Sequence, residues 1–279
     1  MSAIQLHTGG ALAYREARAD GPESGDAVVC VHGFPESSRM WIALMEALAA
    51  GGRRSVAPDL YCLGDSDDPG PATFERSLEQ FSEWLDELAL GRIALVVHDW
   101  GGFIGLAWAC EHPDLVSALV IADAGFFADG KWHGVAKGLR SDAGEEVMAA
   151  IDRAGFAALL RADGAPFTDE DVDAYWRPFA EGRGREATLE FYRSMDFEKL
   201  APYEGKLADL GVPTLLVWGA DDQFAPLSGA ERFLREIPGA RLAAFEGAGH
   251  FVFDQVPARS TREVADFLAA IAADGNRGD

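Results

Sequence analysis

Ile93-Ala94-Leu95-Val96-Val97-His98-Asp99-Trp100-Gly101-Gly102 is an apolar strand that breaks abruptly into an apolar helix. Its first five residues carry no polar side chain, which demands burial on both faces, because a strand with one wet face alternates apolar and polar positions. The helical pattern that follows spans 101–111. Asp99 therefore sits at the apex of a sharp strand-to-helix turn, with glycine two residues on. A strained turn of this kind lifts the apical side chain above the sheet edge and leaves the next backbone N–H facing it. Asp99 has two readings at such a place: a cap for the helix that starts there, or a nucleophile.

Working outward, similar β-rich runs occupy 27–32, 55–59, 116–122, 214–218 and 240–245, with 11–17 as an antiparallel edge strand before them. Helical patterns fill the gaps at 38–49, 73–88, 227–236 and 257–272. Alternation of this type predicts an α/β fold, a mostly parallel sheet with helices on both faces. It stops between Gly125 and Tyr203, where helix patterns replace strands and an inserted lid is expected. Within the insertion, Thr168 precedes Asp169, Glu170 and Asp171, a capped helix start with an acidic first turn and a solvated polar face. Residues 273–279 read as a frayed tail.

Three further loops follow buried strands. His32-Gly33-Phe34-Pro35-Glu36-Ser37 presents the Phe34 backbone N–H over the sheet edge. Trp218-Gly219-Ala220-Asp221-Asp222 supplies carboxylates, and Gly247-Ala248-Gly249-His250 supplies a histidine. The order nucleophile, acid, histidine, each placed after a strand, is that of the α/β hydrolases. With these four loops the chain resembles the α/β-hydrolase superfamily over nearly all its length. It is most similar to the branch with an aspartate nucleophile, the epoxide hydrolases and haloalkane dehalogenases. The resemblance implies an eight-stranded, mostly parallel sheet flanked by helices, with a core at 1–124 and 206–279 and a helical cap at 125–205, inserted after strand 6.

The chemistry implied also suits the residue type. An aspartate is ionised at neutral pH and needs no base to activate it. Asp99 would attack an sp³ carbon to give an alkyl-enzyme ester. His250, oriented by a carboxylate, would then activate water, with the N–H groups of Phe34 and Trp100 as the oxyanion hole. By the family's spacing Asp222 is the orienting acid and Asp123 the alternative. No metal or organic cofactor is needed. His7, His32, His98, His112 and His133 read as structural or surface residues, with His32 and His98 able to brace the site.

Epoxide and halide chemistry differ in how the leaving group is stabilised. Thr188-Leu189-Glu190-Phe191-Tyr192-Arg193-Ser194-Met195 looks like the epoxide-hydrolase segment that carries a ring-opening tyrosine, here Tyr192. The HGFPES loop fits the same enzymes. Val97 in the elbow, the Trp100 indole, and the stretches 59–67 and 140–146 look dehalogenase-like. A second cap tyrosine has no clear counterpart, Tyr175 and Tyr203 being the possible substitutes. Tyr192 is a legible acid and a complete halide-binding pair is not, so the sequence favours epoxide hydrolysis over haloalkane dehalogenation. A hydrolase-fold protein that binds ligand without turnover is the third reading. A serine esterase is disfavoured, as no Gly-x-Ser-x-Gly elbow occurs. Phe127, Trp132, Phe156, Leu159 and Trp176 are expected to make the cleft apolar.

Composition bounds the partners. The 279 residues include 24 Lys+Arg and 46 Asp+Glu, a formal net charge of −22, with 48% apolar residues. Such a charge repels nucleic acid and anionic membranes and favours a small neutral apolar electrophile, with water as co-substrate. Cys30, Cys62 and Cys110 show no metal or disulfide spacing, and the first residues lack a signal-peptide pattern, so a cytoplasmic location is expected. Oligomeric state is left open.

Overall fold

The apolar runs lie side by side in one sheet. In the computed structural model, which describes residues 4–19, 21–67, 70–162 and 164–275, the strands are β1 (Gln5–His7), β2 (Tyr14–Ala17), β3 (Ala27–Val31), β4 (Ser55–Pro58), β5 (Ile93–His98), β6 (Val116–Ala122), β7 (Thr214–Gly219) and β8 (Arg241–Phe245). Their spatial order is β1-β2-β4-β3-β5-β6-β7-β8. β2 is antiparallel to β1 and β4, and the remaining neighbours are parallel. The chain moves from β3 outward to β4, then returns to the other side of β3 as β5. This reversal opens a crevice at the carboxyl ends of β3 and β5, the position where open α/β sheets bind ligands.

The flanking helices are α1 (Ile42–Ala50), α2 (Phe74–Leu88) and α3 (Trp100–Glu111) before β6. Between β6 and β7 come α4 (Gly134–Arg140), α5 (Gly144–Ala150), α6 (Arg153–Leu160), α7 (Asp169–Glu181), α8 (Gly184–Ser194), a 3₁₀ segment (Phe197–Tyr203) and α9 (Lys206–Asp209). After β7 follow α10 (Leu227–Glu236), α11 (Val252–Gln255) and α12 (Pro257–Gly275). Among the described residues, no helix is long and apolar enough to cross a membrane.

β5 shows why the apolar run is continuous. Ile93, Leu95 and Val97 pack with Phe81, Trp84 and Ile104 of α2 and α3. Ala94 and Val96 pack in the opposite layer, with Leu44 and Met45 of α1 and Leu268 of α12. Close approach of α3 to the sheet requires two of its glycines. A Cβ on Gly101 would lie 2.3 Å from the Val31 carbonyl oxygen, and one on Gly105 2.7 Å from Val97 Cγ1.

The structure revises several sequence boundaries. The segment 11–17 is not the edge strand: only Tyr14–Ala17 is extended, and β1 pairs outside it. β1 is three residues long and largely exposed, too short for a periodic signal. The helix expected from residue 38 opens as a 3₁₀ turn capped by Ser37, with α1 starting at Ile42. α12 continues to Gly275, into the segment read as a frayed tail, and 276–279 lie outside the described residues. Thr168 does cap α7, in a reciprocal capping box with Asp171. The acidic turn is partly paired, since Arg39 bonds Asp171 at 3.1 Å and Glu170 at 2.9 Å and so ties α7 to the loop after β3.

Candidate active site

Asp99 occupies the turn between β5 and α3 with φ +46°, a conformation that a non-glycine residue adopts only when its surroundings impose it. Its side chain makes no capping hydrogen bond to α3. Instead Oδ1 accepts from the Phe34 backbone N–H at 2.8 Å. The helix-cap reading of Asp99 therefore fails on geometry. Trp100, the first residue of α3, has a backbone N–H with no intrahelical acceptor, on the same side of the turn.

His250 follows β8 and is buried. Its Nδ1 lies 2.9 Å from Asp222 Oδ2, and its Nε2 lies 3.5 Å from Asp99 Oδ2. Asp222 Oδ1 accepts from the amides of Phe224 and Ala225 at 2.7 and 3.0 Å, which fixes the carboxylate in its loop. The choice between acids is thus geometric: Asp222 touches the imidazole. Asp123, at the end of β6, turns Oδ1 to the Gly219 N–H at 2.9 Å, and its carboxyl also meets that of Asp222. Burial, then the charge of Asp222, hold the Asp123 carboxyl well above the usual range and hence protonated. Asp221 faces outward and accepts from Gly247 N.

These contacts set the charge state. Burial alone would lower the His250 pKa, but Asp222 and then Asp99 outweigh it and raise it well above the ordinary imidazole value. Burial would raise Asp99, yet its bonds to His250 and Phe34 keep it ionised. His250 is thus held toward its protonated form by the two acidic side chains that flank it.

Two buried histidines brace it, as expected. His32 donates from Nδ1 to the Gly33 carbonyl at 2.8 Å and accepts from Leu60 N at Nε2, which fixes a neutral tautomer. His98 donates from Nε2 to the His250 carbonyl at 2.9 Å, leaving Nδ1 facing Glu36 at 3.3 Å. Burial pushes both histidines down to about 4 and Glu36 up to about 8, so His98 and Glu36 meet as neutral groups.

A cavity of about 190 Å³ opens over Asp99, lined among others by Trp100, Asp123, Trp132, His133 and Tyr192. A recess of about 30 Å³ continues from it past Phe34, His250 and Leu159. Tyr192, on α8, is buried; its ring centroid is 4.9 Å from Trp100 and 5.2 Å from Trp132. Burial, then the Asp99 charge, raise its phenol pKa well above the ordinary value. The indole Nε1 of Trp132 is buried without a hydrogen-bond acceptor, whereas the indole N–H of Trp100 is directed at the Tyr192 hydroxyl.

Trp132 as a polar contributor and His133 as a lining residue escape the sequence reading. One reads as apolar wall and the other as surface, and nothing in their local spacing signals otherwise. Tyr175 and Tyr203 do not replace the second cap tyrosine. Tyr175 lines a separate cavity beside Asp254, and the Tyr203 hydroxyl donates to Glu111 at 2.5 Å. Trp176 stacks on Phe179 and Phe156 packs against it at a tilt, neither lining the cavity, whereas Phe127 and Leu159 reach it.

Residues 26–257 match the family model described as the alpha/beta hydrolase fold. The chain belongs to the α/β-hydrolase family. It is 27% identical over 294 residues to epoxide hydrolase 3 of Siraitia grosvenorii, covering 88% of this chain and 92% of that one. It is 35% identical over 175 residues to a haloalkane dehalogenase of Mycobacterium marinum, covering 58% of this chain and 59% of the relative. Among solved structures, the haloalkane dehalogenase DbeA of Bradyrhizobium elkani superimposes with a TM-score of 0.85 at 25% identity, covering 98% of this chain and 100% of that one. This α/β hydrolase is a hydrolase of the epoxide hydrolase and haloalkane dehalogenase branch.

Proposed function

We propose that this hydrolase releases halide from a small neutral haloalkane through a covalent alkyl ester on Asp99. The observation that carries this reading is the buried, unpartnered indole N–H of Trp132, which lines the cavity that holds Asp99 together with the Trp100 indole. A buried donor without an acceptor costs about 1–3 kcal/mol, and a halide leaving Asp99 would satisfy the Trp132 N–H. The sequence favours epoxide opening because a second halide donor is not legible in it; Trp132 supplies that donor.

In this mechanism Asp99 Oδ2 attacks the carbon, the carbon–halogen bond breaks, and the electron pair departs with the halide toward the two indoles. Oδ1, already on the Phe34 N–H, becomes the ester carbonyl oxygen. Esterification removes one of the two charges that hold the proton on His250. The ring then releases that proton to solvent water and, oriented by Asp222, takes another from the water that attacks the ester carbonyl. The resulting oxyanion is held by the N–H groups of Phe34 and Trp100. The intermediate collapses with cleavage of its bond to the alkoxide, which leaves as the alcohol with the proton of the newly added hydroxyl, and the Asp99 carboxylate returns. The insertion at 125–205 acts as the cap, since it supplies Trp132 and Tyr192. The retained Asp99, His250 and Asp222 favour turnover over ligand binding alone, and three buried free thiols support a cytoplasmic location.

Epoxide hydrolysis is the second reading, favoured by Tyr192, whose buried hydroxyl would protonate the alkoxide. The two are separated by offering 1-bromobutane and styrene oxide to the wild type, Trp132→Phe and Tyr192→Phe. Dehalogenation predicts bromide release that falls on the order of 100-fold in Trp132→Phe, as for loss of one preorganised donor, and survives Tyr192→Phe. Diol formation without bromide, abolished by Tyr192→Phe, would reverse the order.

A further inference from the structure

Arg140 lines neither recess of the site, yet it contacts both groups that close the cavity from the cap side. It ends α4, the helix that starts directly after Trp132 and His133. Its Nη1 donates to the carbonyls of Tyr192 and Met195, the latter at 2.6 Å, and its Nη2 pairs with Asp196. Those carbonyls lie at the C-terminal end of α8, where backbone acceptors lack intrahelical donors and a cation suits the helix dipole. The same guanidinium covers the Trp132 ring, with Cζ 5.4 Å from the centroid.

Trp132 and Tyr192 enter the cavity from opposite ends of the insertion, and Arg140 grips one by its ring and the other by its backbone. Only a planar fork on a long stem spans the two; lysine, with a single ammonium, covers the ring or the carbonyls. We propose that Arg140 is a positioning residue that fixes the Trp132 indole against the helix end that carries Tyr192, and thereby the stabilisation of the leaving group by that indole. The proposal rests on the reading that these groups face the departing atom. Ester hydrolysis uses His250 and Asp222, and among the described residues no hydrogen bond of Arg140 reaches either of them.

The test uses the full chain as wild type, Arg140→Lys and Arg140→Met, with 1-chloro-, 1-bromo- and 1-iodobutane, following the halide burst of the first turnover. Arg140→Met slows ester formation about 10- to 100-fold, the range expected for a small misplacement of a positioned group. The loss is larger for chloride than for iodide, because the poorer leaving group depends more on the donors, and the ester-hydrolysis rate is unchanged. Arg140→Lys recovers part of the loss. A second readout labels the tyrosines with fluorine and identifies Tyr192 by the signal missing from Tyr192→Phe. That signal shifts in Arg140→Met although Arg140 does not touch the ring. Equal loss for all three halides, or an unmoved Tyr192 signal in a folded variant, overturns the proposal. If Arg140→Met does not fold, Arg140→Lys decides by the same two criteria. If the wild type releases no halide, dehalogenation fails by itself, and the fluorine signal still decides the role of Arg140.

Discussion

At Asp99 the two carboxylate oxygens have different partners, Oδ1 on the Phe34 amide and Oδ2 toward His250, so the residue enters the reaction with its attacking and oxyanion atoms already distinguished. His250 carries the pH dependence. Its pKa is raised by Asp222 and Asp99 together, and esterification neutralises Asp99, so the value falls once the ester forms. Ester hydrolysis requires the neutral ring and therefore rises with pH through this lower pKa. Ester formation does not require it. Single-turnover experiments across pH 5–9 are expected to show a halide burst that is flat with pH and an alcohol-release step that climbs. A burst that climbs in parallel would argue against the mechanism. His250→Gln should accumulate the ester as a mass adduct on Asp99, and wild-type turnover in heavy-oxygen water should label Asp99 itself.

Among the elements, α3 makes the closest contact with the sheet. An exposed helical glycine gains about 0.5–1 kcal/mol on replacement by alanine. At Gly105 the sign reverses, because the added methyl would meet Val97 Cγ1 at 2.7 Å and overpacking costs about 1–3 kcal/mol. Urea denaturation of Gly105→Ala should show that loss. Val97→Ala in the same chain should recover part of it, giving a coupling of about 1 kcal/mol. A stabilised Gly105→Ala would mean that α3 stands further from β5.

For the molecule as a whole, the −22 charge surrounds a nucleophile that is itself an anion. An anionic haloalkane such as 4-bromobutyrate is repelled during approach, whereas 1-bromobutane is indifferent to the field. Salt screens this repulsion over about 10 Å at 0.1 M. Raising salt from 10 mM to 0.5 M should therefore increase kcat/KM for bromobutyrate, on the order of 10-fold for a steered encounter, and leave bromobutane unchanged. Equal salt responses would show that the cavity is shielded from the surface charge. In the proposed dehalogenation the same field would favour departure of the halide after each turnover.

What could be read along the chain was what neighbouring residues decide. The continuous apolar run of β5 reports burial on both faces, and the turn at Asp99 follows from where that run stops. Thr168 and Asp171 announce a helix start three residues apart. The order of Asp99, Asp222 and His250 identifies loops that meet because parallel strands bring their carboxyl ends to one sheet edge. Contacts set by folding in three dimensions were not legible. Asp222 and Asp123 both end strands beside His250, and only the packing of the loop after β7 against the imidazole separates them. β1 was hidden because its pairing is supplied by β2 and not by its own composition. Trp132 reads as one more apolar side chain until the cap folds down, because an indole's role depends on whether its N–H finds an acceptor, and that depends on the cavity the folded chain builds around it.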